Sequence, residues 1–275
     1  MNPAQRVAIG LIFSVASGLA QSKDCRENHP TELVSAVYPT AEVLPENLLR
    51  FYVYFEKPMN TANALSHVYL TDASGTQLDG VFIENKVDLW SPDRTRLTLL
   101  FDPGRVKTGL IAHNTLGRAL EAGETYHLVV EAGDMSASGC ASTFVKTFSV
   151  SKAHFIRPVV SDWTISSPPR GTTMPITMGF PSPIDHTSLA FRIRIKDSRG
   201  QLVPGAIDVR AHESQWVFSP TTPWQSNESY SVFVEPILED IVGNRPTGLF
   251  DQASLIDASL SQNQPIQIPI RLSDE

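Results

Sequence analysis

Oxygen-bearing side chains surround a glycine near the end of the chain, in the stretch ILEDIVGNRP at residues 237–246. Glu239, Asp240 and Asn244 flank Gly243, and such groups could hold a calcium ion or take part in acid–base catalysis. A calcium site needs about six or more oxygens, whereas this stretch offers few and has no Asp-x-Asp spacing. Asp, Gly and Asn also favour a tight turn in which the Asp side chain accepts backbone N–H groups. The sequence therefore favours a turn, with calcium as the alternative.

The motifs of common catalytic sites do not occur in this sequence. It contains no Gly-x-Ser-x-Gly, no Gly-rich phosphate loop and no His-Glu-x-x-His. Ser149 and Lys152 have the spacing Ser-x-x-Lys, but the motifs that accompany this pair in penicillin-recognising enzymes are missing, so we interpret the spacing as coincidence. We predict a chain with no catalytic residues and no cofactor. An enzyme whose site is assembled from distant residues stays an alternative.

Copper is the metal to consider, because small exported β-sandwiches can bind it through His and Met. His29, Met59 and His67 are the candidates, but Met59 also suits a packing position. The seven histidines are scattered without metal-ligand spacing, and the five methionines form no cluster. We predict no metal site, with a copper carrier as a weaker alternative.

Aromatic and basic side chains on two predicted strands could bind a polysaccharide. Tyr52 and Tyr54 would project from the solvent side of one strand, where their rings could stack on sugars. Arg192, Arg194 and Lys196 alternate along another strand and could bind an anionic glycan. Cross-strand tyrosine pairs, a solvated strand face and edge protection are the structural alternatives. A carbohydrate- or envelope-binding protein is thus the alternative function.

The elements that position these residues are short strands. Residues 49–55 and 191–196 alternate apolar and polar side chains at period two, and 20 prolines and 16 glycines interrupt the chain at short intervals. This pattern predicts an all-β fold of the sandwich type.

An internal repeat predicts two such sandwiches in tandem. Residues 55–59 recur at 180–184, and Asp72 with Gly75 recurs as Asp197 with Gly200, all at an offset of 125. We predict a first sandwich over 21–152 and a second over 153–275. The first copy carries an insertion at 104–118 that is rich in basic residues and could be a binding loop or a loop that covers one end of the sandwich.

The first twenty residues resemble an export signal. Arg6 precedes an uncharged apolar run that ends in Gly18-Leu19-Ala20, so we expect cleavage after Ala20. Cleavage would change the net charge from −7 to −8 because it removes Arg6 and no acid. This acidity argues against nucleic-acid partners. No second long apolar segment follows, so we expect an exported, periplasmic or extracellular chain without a transmembrane anchor.

The chain has two cysteines, Cys25 and Cys140. In an oxidising compartment an even number favours a disulfide, which would stabilise the fold by about 4 to 5 kcal/mol in the loop-entropy model. We predict a structural Cys25–Cys140 bridge, with two unpaired thiols as the alternative.

The order of four motifs resembles bacterial immunoglobulin-like domains of the surface-layer (SbsA) type. These are F-x-K-P-M at 55–59, L-x-D-x-x-G at 70–75, G-x-x-Y-x-L-x-V at 123–130 and L-x-D-x-x-G-N at 238–244. The first copy departs from the pattern at 132–140, where Cys140 occurs. The resemblance implies two immunoglobulin-like sandwiches and no common active site. It also implies a structural or interaction module, whose partner would be an unidentified protein or an envelope glycan.

Overall fold

The computed structural model describes residues 33–59, 63–83, 88–107, 117–133, 135, 143–251 and 264–274. The predicted signal 1–20, the predicted disulfide of Cys25 and Cys140, and His29 lie outside these residues. The described chain is nearly all β, as the alternating pattern predicts.

The N-terminal half, which we define as residues 33–151, forms two four-stranded sheets of order β1-β3-β6-β5 and β2-β8-β7-β4. The short strand β2 runs parallel to β8, and every other pair is antiparallel. A four-residue helix, α1 (Pro103–Val106), follows β6. The strands are β1 (Val34–Tyr38), β2 (Val43–Pro45), β3 (Arg50–Phe55), β4 (Val68–Asp72), β5 (Leu89–Trp90), β6 (Arg96–Leu100), β7 (Thr125–Val130) and β8 (Phe144–Ser151).

The C-terminal half, which we define as residues 154–274, forms a four-stranded sheet of order β12-β13-β10-β9 and a three-stranded sheet of order β11-β14-β15. A short helix, α2 (His186–Phe191), connects β10 to β11. The strands are β9 (Thr164–Ile165), β10 (Ile176–Gly179), β11 (Ile193–Asp197), β12 (Gly205–Arg210), β13 (Gln215–Pro220), β14 (Tyr230–Val234) and β15 (Ile266–Ile270).

This strand order is immunoglobulin-like. In the C-terminal half, the first, second, fourth and fifth strands share one sheet and the third, sixth and seventh share the other, as in a constant-type domain. The N-terminal half has the same order with β2 added. Each half also has a tyrosine corner: the Tyr126 hydroxyl accepts the Glu121 N–H at 3.2 Å, and the Tyr230 hydroxyl accepts the Gln225 N–H at 3.1 Å.

Each half has its own hydrophobic core between its sheets. In the N-terminal core, the Phe51 ring of β3 lies 5.5 Å from the Phe148 ring of β8. In the C-terminal core, Trp216 of β13 and Val232 of β14 are fully buried in one cluster. The predicted division at 152/153 falls between these two cores, and we retain it as a proposal.

The repeated hairpin turns are built in the same way. The Oδ1 atom of Asp72 accepts the N–H groups of Ser74 and Thr76, and Oδ1 of Asp197 accepts those of Arg199 and Gln201. Each turn ends in a glycine with positive φ, 86° at Gly75 and 76° at Gly200. The sequence repeat is therefore a structural repeat.

Two predicted strands differ in the structure. Phe191 ends helix α2 instead of beginning β11, because Asp185 caps that helix and the strand starts at Ile193. Phe250, for which the apolar sequence after the 237–246 turn also suggests a strand, lies outside any strand and packs against the N-terminal core.

Candidate functional site at the junction of the two sandwiches

The outer side of β3 is covered by the C-terminal half. Tyr52 is only 4% exposed, and its hydroxyl donates to Asp185 Oδ2 at 2.9 Å and lies 2.8 Å from Thr187 Oγ1. Arg50 forms an ion pair with Glu239 and places its Nε atom 3.9 Å from Asp185. Burial and the nearby Asp185 raise the pKa of Tyr52, so its hydroxyl remains a donor at neutral pH. The predicted sugar platform is therefore wrong for Tyr52, because its side chain is not accessible.

Asp185 connects this contact to the local structure of the C-terminal half. It is the N-cap of α2 and accepts the Ser188 N–H at 2.9 Å through Oδ1. The same oxygen accepts the Thr187 hydroxyl at 2.7 Å. Asp185 is 3% exposed, and its oxygens accept hydrogen bonds from these donors and from Tyr52. One carboxylate thus fixes both the start of α2 and its contact with β3.

An aromatic cluster extends this contact. The ring of His186, the first residue of α2, stacks on Tyr38 of β1 with ring centroids 3.5 Å apart. Tyr54 meets both rings edge-on, at 5.4 Å from Tyr38 and 5.5 Å from His186. Burial lowers the pKa of His186 to about 4, so the imidazole is neutral at pH 7. Tyr54 therefore also belongs to the junction.

The tip of the β12–β13 hairpin forms a second polar contact. Ala211, His212 and Glu213 all have positive φ, between 50° and 61°, which is costly for residues with a Cβ. This conformation buries the Glu213 carboxylate, which accepts the Thr40 N–H at 3.0 Å and the Thr40 hydroxyl at 2.9 Å. Lys146 Nζ donates to the carbonyl of Thr40 at 3.0 Å. Burial raises the pKa of Glu213 and lowers that of Lys146.

The 237–246 stretch is a turn, as its Asp, Gly and Asn residues predict. Oδ1 of Asp240 accepts the N–H groups of Val242 at 3.0 Å and Asn244 at 2.8 Å, and Gly243 has a φ of 85°. The Asn244 side-chain amide donates to Asp240 Oδ2 at 3.0 Å. The Asp240 oxygens thus bind N–H groups. Among the described residues, no group of three or more His, Cys, Asp or Glu side chains could hold a metal ion.

This turn also enters the neighbouring sandwich. Ile241 and Val242, which belong to the C-terminal half in sequence, are buried within the N-terminal core. The N–H of Leu49, just before β3, donates to the Ile241 carbonyl at 3.1 Å. A Cβ on Gly243 would lie 2.7 Å from Leu49 Cδ2. The apolar tip of the turn therefore joins the two halves.

A polar cluster adjoins the turn. Asn47 donates through Nδ2 to the His154 carbonyl at 3.0 Å and accepts the His154 N–H at 2.9 Å. The His154 Nε2 atom lies 4.0 Å from Asp240 Oδ2. Burial raises the pKa of Asp240 to about 7, although its hydrogen bonds from Asn244 and Val242 act in the opposite direction. Burial also lowers the pKa of His154.

The described basic residues of the 104–118 insertion bind the chain itself. Arg105 donates to the Gly117 carbonyl at 3.0 Å, and Arg118 pairs with Glu46 at 3.3 Å. The Lys107 ammonium lies 4.1 Å from the centroid of the Phe250 ring. These contacts favour a loop that packs against the sandwich. His113 lies outside the described residues.

The basic ladder of the C-terminal half is engaged in a similar way. Arg192 pairs with Glu235 at 2.8 Å, and Arg194 donates to the Ala190 carbonyl at 2.9 Å. Lys196 Nζ lies 4.5 Å from the centroid of the Phe233 ring. The ladder is therefore held in contacts within its own half.

The remaining sequence candidates do not converge. Met59 is 2% exposed and packs in the N-terminal core, while His67 follows a 3₁₀ turn before β4. Ser149 lies on β8 and donates to the Glu42 carbonyl at 3.4 Å, and Lys152 is exposed beyond the end of β8. No helix of the described chain is long and apolar enough to cross a membrane.

Several solved structures are similar to the chain at low identity. A native alpha-2-macroglobulin from Escherichia coli is 13% identical, with 90% of this chain and 74% of that chain covered and a TM-score of 0.26. The bacterial S-layer protein SbsC is 13% identical, with 88% and 44% covered and a TM-score of 0.27. The N-terminal four Ig domains of Dscam1 are 10% identical, with 84% and 48% covered and a TM-score of 0.27.

No family model and no curated protein matches the chain. At TM-scores near 0.27 these likenesses carry no argument about function. The immunoglobulin-like fold rests instead on the strand order and the two tyrosine corners. Membership of the SbsA-type family stays a prediction.

Proposed function

We propose that the chain is an exported, non-catalytic module in which two immunoglobulin-like sandwiches act as one rigid structural or interaction unit. The observation that carries this proposal is the burial of Ile241 and Val242, from the C-terminal half, within the N-terminal core. Exposing the two side chains would cost about 3 to 6 kcal/mol in hydrophobic free energy. A hinge at this position would therefore be closed nearly all the time.

The polar contacts of the junction restrict the relative orientation of the two halves. Asp185 and Glu213 are 3% and 2% exposed, and both accept hydrogen bonds from the N-terminal half. A buried carboxylate that loses its donors is strongly destabilised. Each carboxylate therefore favours a single relative orientation of the halves. A fixed orientation suits a spacer or a docking surface, whose value depends on where its ends are held.

Calorimetry and X-ray scattering test the rigid unit. The chain from residue 21 onward should unfold in one cooperative transition, because the N-terminal core includes Ile241 and Val242 of the C-terminal half. The double variant Ile241→Ser/Val242→Ser should separate the unfolding of the halves and increase the radius of gyration. Val43→Ser is the matched control, because Val43 is 58% exposed and contributes to neither hydrophobic core. Two separate transitions in the unmodified chain would contradict the proposal.

Export is tested independently. Full-length protein produced in bacterial cells should be recovered outside the cytoplasm with Gln21 as its first residue, as determined by N-terminal sequencing. Recovery of the chain in the cytoplasm with residues 1–20 intact would refute the exported part of the proposal. A thiol titration of the same material tests the proposed Cys25–Cys140 bridge, which predicts reactive thiols only after reduction.

A further inference from the structure

The edges of the four sheets differ in their protection against pairing with another chain. An unprotected edge strand offers free N–H and C=O groups to any extended polypeptide. Proteins protect edges with short strands, bulges, proline or covering segments. In the described residues, eight strands lie at sheet edges, and seven of them have such protection.

Each protected edge shows one of these features. β5 and β9 have two residues each, β2 includes Pro45, and β1 has a bulge between Val34 and Ala36. β15 contains Pro269. Residues 76–78 cover β4 through the hydrogen bond from Leu78 N–H to the Leu70 carbonyl, and residues 201–203 cover β11 in the same way.

β12 has no proline and no bulge, and no described segment forms hydrogen bonds along its outer edge, although helix α2 packs near it. It is six residues long and pairs regularly with β13 over its whole length. It has no buried residue, since Gly205, Ala206, Asp208 and Arg210 are exposed and Ile207 and Val209 are half-buried. β12 is therefore the open edge of the described fold.

The hydrogen-bond alternation identifies which backbone groups of β12 are free. The Phe180 N–H donates to the Ser214 carbonyl, so even-numbered residues of β13 bond to β10 and odd-numbered ones to β12. The Thr221 N–H accordingly donates to the Pro204 carbonyl. Even-numbered residues of β12 thus bond to β13. The N–H and C=O groups of Gly205, Ile207 and Val209 point away from the sheet, and no hydrogen bond within the described chain reaches them.

We propose that this edge pairs with β12 of a second copy of the chain, antiparallel and about a two-fold axis at Ile207. The inference rests on the proposed function of an interaction module and names its partner. The three free residues are placed symmetrically about Ile207, so this register pairs Gly205 with Val209 of the partner subunit and Ile207 with Ile207 of the partner subunit. Every free N–H and C=O group of the edge is then satisfied.

Charge favours a second copy at this edge. The chain has a net charge of −7, so two copies repel each other at most surfaces. The exposed charges of β12 neutralise each other, because Arg210 Nε lies 2.6 Å from Asp208 Oδ2. In the proposed register Asp208 faces Ala206 of the partner subunit, so no like charges are directly opposed. An axis at Asp208 would instead oppose the two Asp208 carboxylates.

The symmetry also limits the assembly to a dimer. A two-fold contact uses the same patch on both copies and leaves none of it free. The other described edges are protected, so the pairing does not propagate. Two four-stranded sheets of order β12-β13-β10-β9 would join edge to edge, with both C-terminal cores on the same side.

Sedimentation equilibrium with the chain from residue 21 onward tests this pairing. We expect a reversible monomer–dimer equilibrium. Ala206→Glu should weaken the dimer roughly fivefold, because each introduced carboxylate lies opposite Asp208 of the partner subunit and the two like charges repel each other. Ala206→Lys should tighten it roughly fivefold for the opposite reason. Val145→Glu and Val145→Lys are matched controls, since Val145 is 51% exposed on β8 and should change neither constant.

A second variant tests the backbone pairing. Ile207→Pro removes an N–H that β13 does not use, and it should abolish the dimer while calorimetry still shows a folded chain. Equal effects of Ala206→Glu and Ala206→Lys, or a monomer at all concentrations, would overturn the proposal. Binding of an unrelated extended peptide at β12 by a monomeric chain would also overturn it. One calorimetric transition in the monomeric Ile207→Pro variant would show that the rigid unit stands even where the dimer fails.

Discussion

β3 and β10 hold the same position in the two halves, 125 residues apart, and their core-facing sides agree closely. Phe51 and Ile176 are both 0% exposed, as are Val53 and Met178. Each side chain packs between the sheets of its own half. The requirement for a filled core therefore preserves apolar character at these positions, although the residue types differ.

Their outer sides differ. Tyr52 and Tyr54 of β3 correspond to Thr177 and Gly179 of β10. Tyr52 donates to Asp185 and the Tyr54 ring packs edge-on against His186, whereas Thr177 is half-buried and donates its N–H to Ser166 Oγ. The large polar side chains of β3 therefore belong to the junction. In the described chain, only the N-terminal half uses this outer strand side to contact the other half.

Equivalent substitutions on the core-facing sides of β3 and β10 should destabilise the chain by similar amounts. Phe51→Ala and Ile176→Ala should each lower the free energy of unfolding by about 3 to 4 kcal/mol, because each leaves a cavity in a fully buried cluster. Urea denaturation measures both losses. A loss below about 1 kcal/mol at only one of the two sites would show that the two faces are not equivalent.

The pH dependence of stability should also differ between the two halves, because, among the described residues, only the C-terminal copy of the motif has a buried aspartate, Asp240. Its pKa is raised by burial to about 7 in the folded chain, so the unfolded chain loses its proton first. Stability from this group is full below about pH 4 and falls as the pH rises towards 7, by up to a few kcal/mol. Thermal unfolding from pH 4 to 8 measures this slope.

Asp240→Asn provides the control, because the amide stays neutral throughout. His186 has the opposite effect, since its pKa is lowered to about 4 and its stabilisation is lost as the pH falls below 6.5. Both proteins contain His186, so its contribution cancels when the free energy of unfolding of Asp240→Asn is subtracted from that of the unmodified chain at each pH. Parallel stability curves for the two proteins would contradict the expected titration of Asp240.

Two glycines with nearly equal φ allow the junction turn to be compared with an ordinary hairpin turn. Gly243 and Gly75 have φ values of 85° and 86°, but only the Cβ of an alanine at Gly243 meets other atoms, Leu49 among them. Gly75→Ala should cost about 1 kcal/mol from backbone strain alone. Gly243→Ala should cost about 2 to 3 kcal/mol, since overpacking adds to the same strain. Equal losses in urea denaturation would show that Leu49 moves aside freely.

Substitutions on the outer sides of β3 and β10 should have the smallest effects on stability. Tyr52→Phe removes a donor from the buried Asp185 carboxylate and should cost about 1 to 2 kcal/mol. Thr177→Val at the matching position should change stability by less than about 0.5 kcal/mol. Chemical denaturation resolves the two values. A Tyr52→Phe variant as stable as the unmodified chain would mean that Asp185 finds another donor.

The sequence predicted the features that depend on neighbours along the chain. Alternation at residues 49–55 predicted Phe51 in the core, and the repeat of Asp-x-x-Gly matches two hairpin turns of the same build, at Gly75 and Gly200. The Asp240 turn was also predicted, because its hydrogen bonds span only a few residues. Each of these features is set by backbone geometry and local side-chain chemistry.

The junction could not be predicted in the same way. Tyr52 and Asp185 are 133 residues apart, and nothing in either segment indicates that the two surfaces meet. A solvent-facing tyrosine and one covered by another sandwich have the same alternating pattern. The one available signal was the asymmetry of the repeat, in which Arg50 and Tyr52 correspond to Pro175 and Thr177. Small residues at the matching positions indicate that only one copy needs large polar groups there.

The presence of Ile241 and Val242 in the N-terminal core also bears on the order in which the chain folds. If the chain is exported as proposed, N-terminus first, β8 crosses the membrane roughly ninety residues before these two side chains. Until they arrive, the first sandwich has an unfilled gap between its sheets and exposes apolar surface to its surroundings. On this proposed route, the final packing of the first sandwich would be delayed until most of the second sandwich has crossed the membrane.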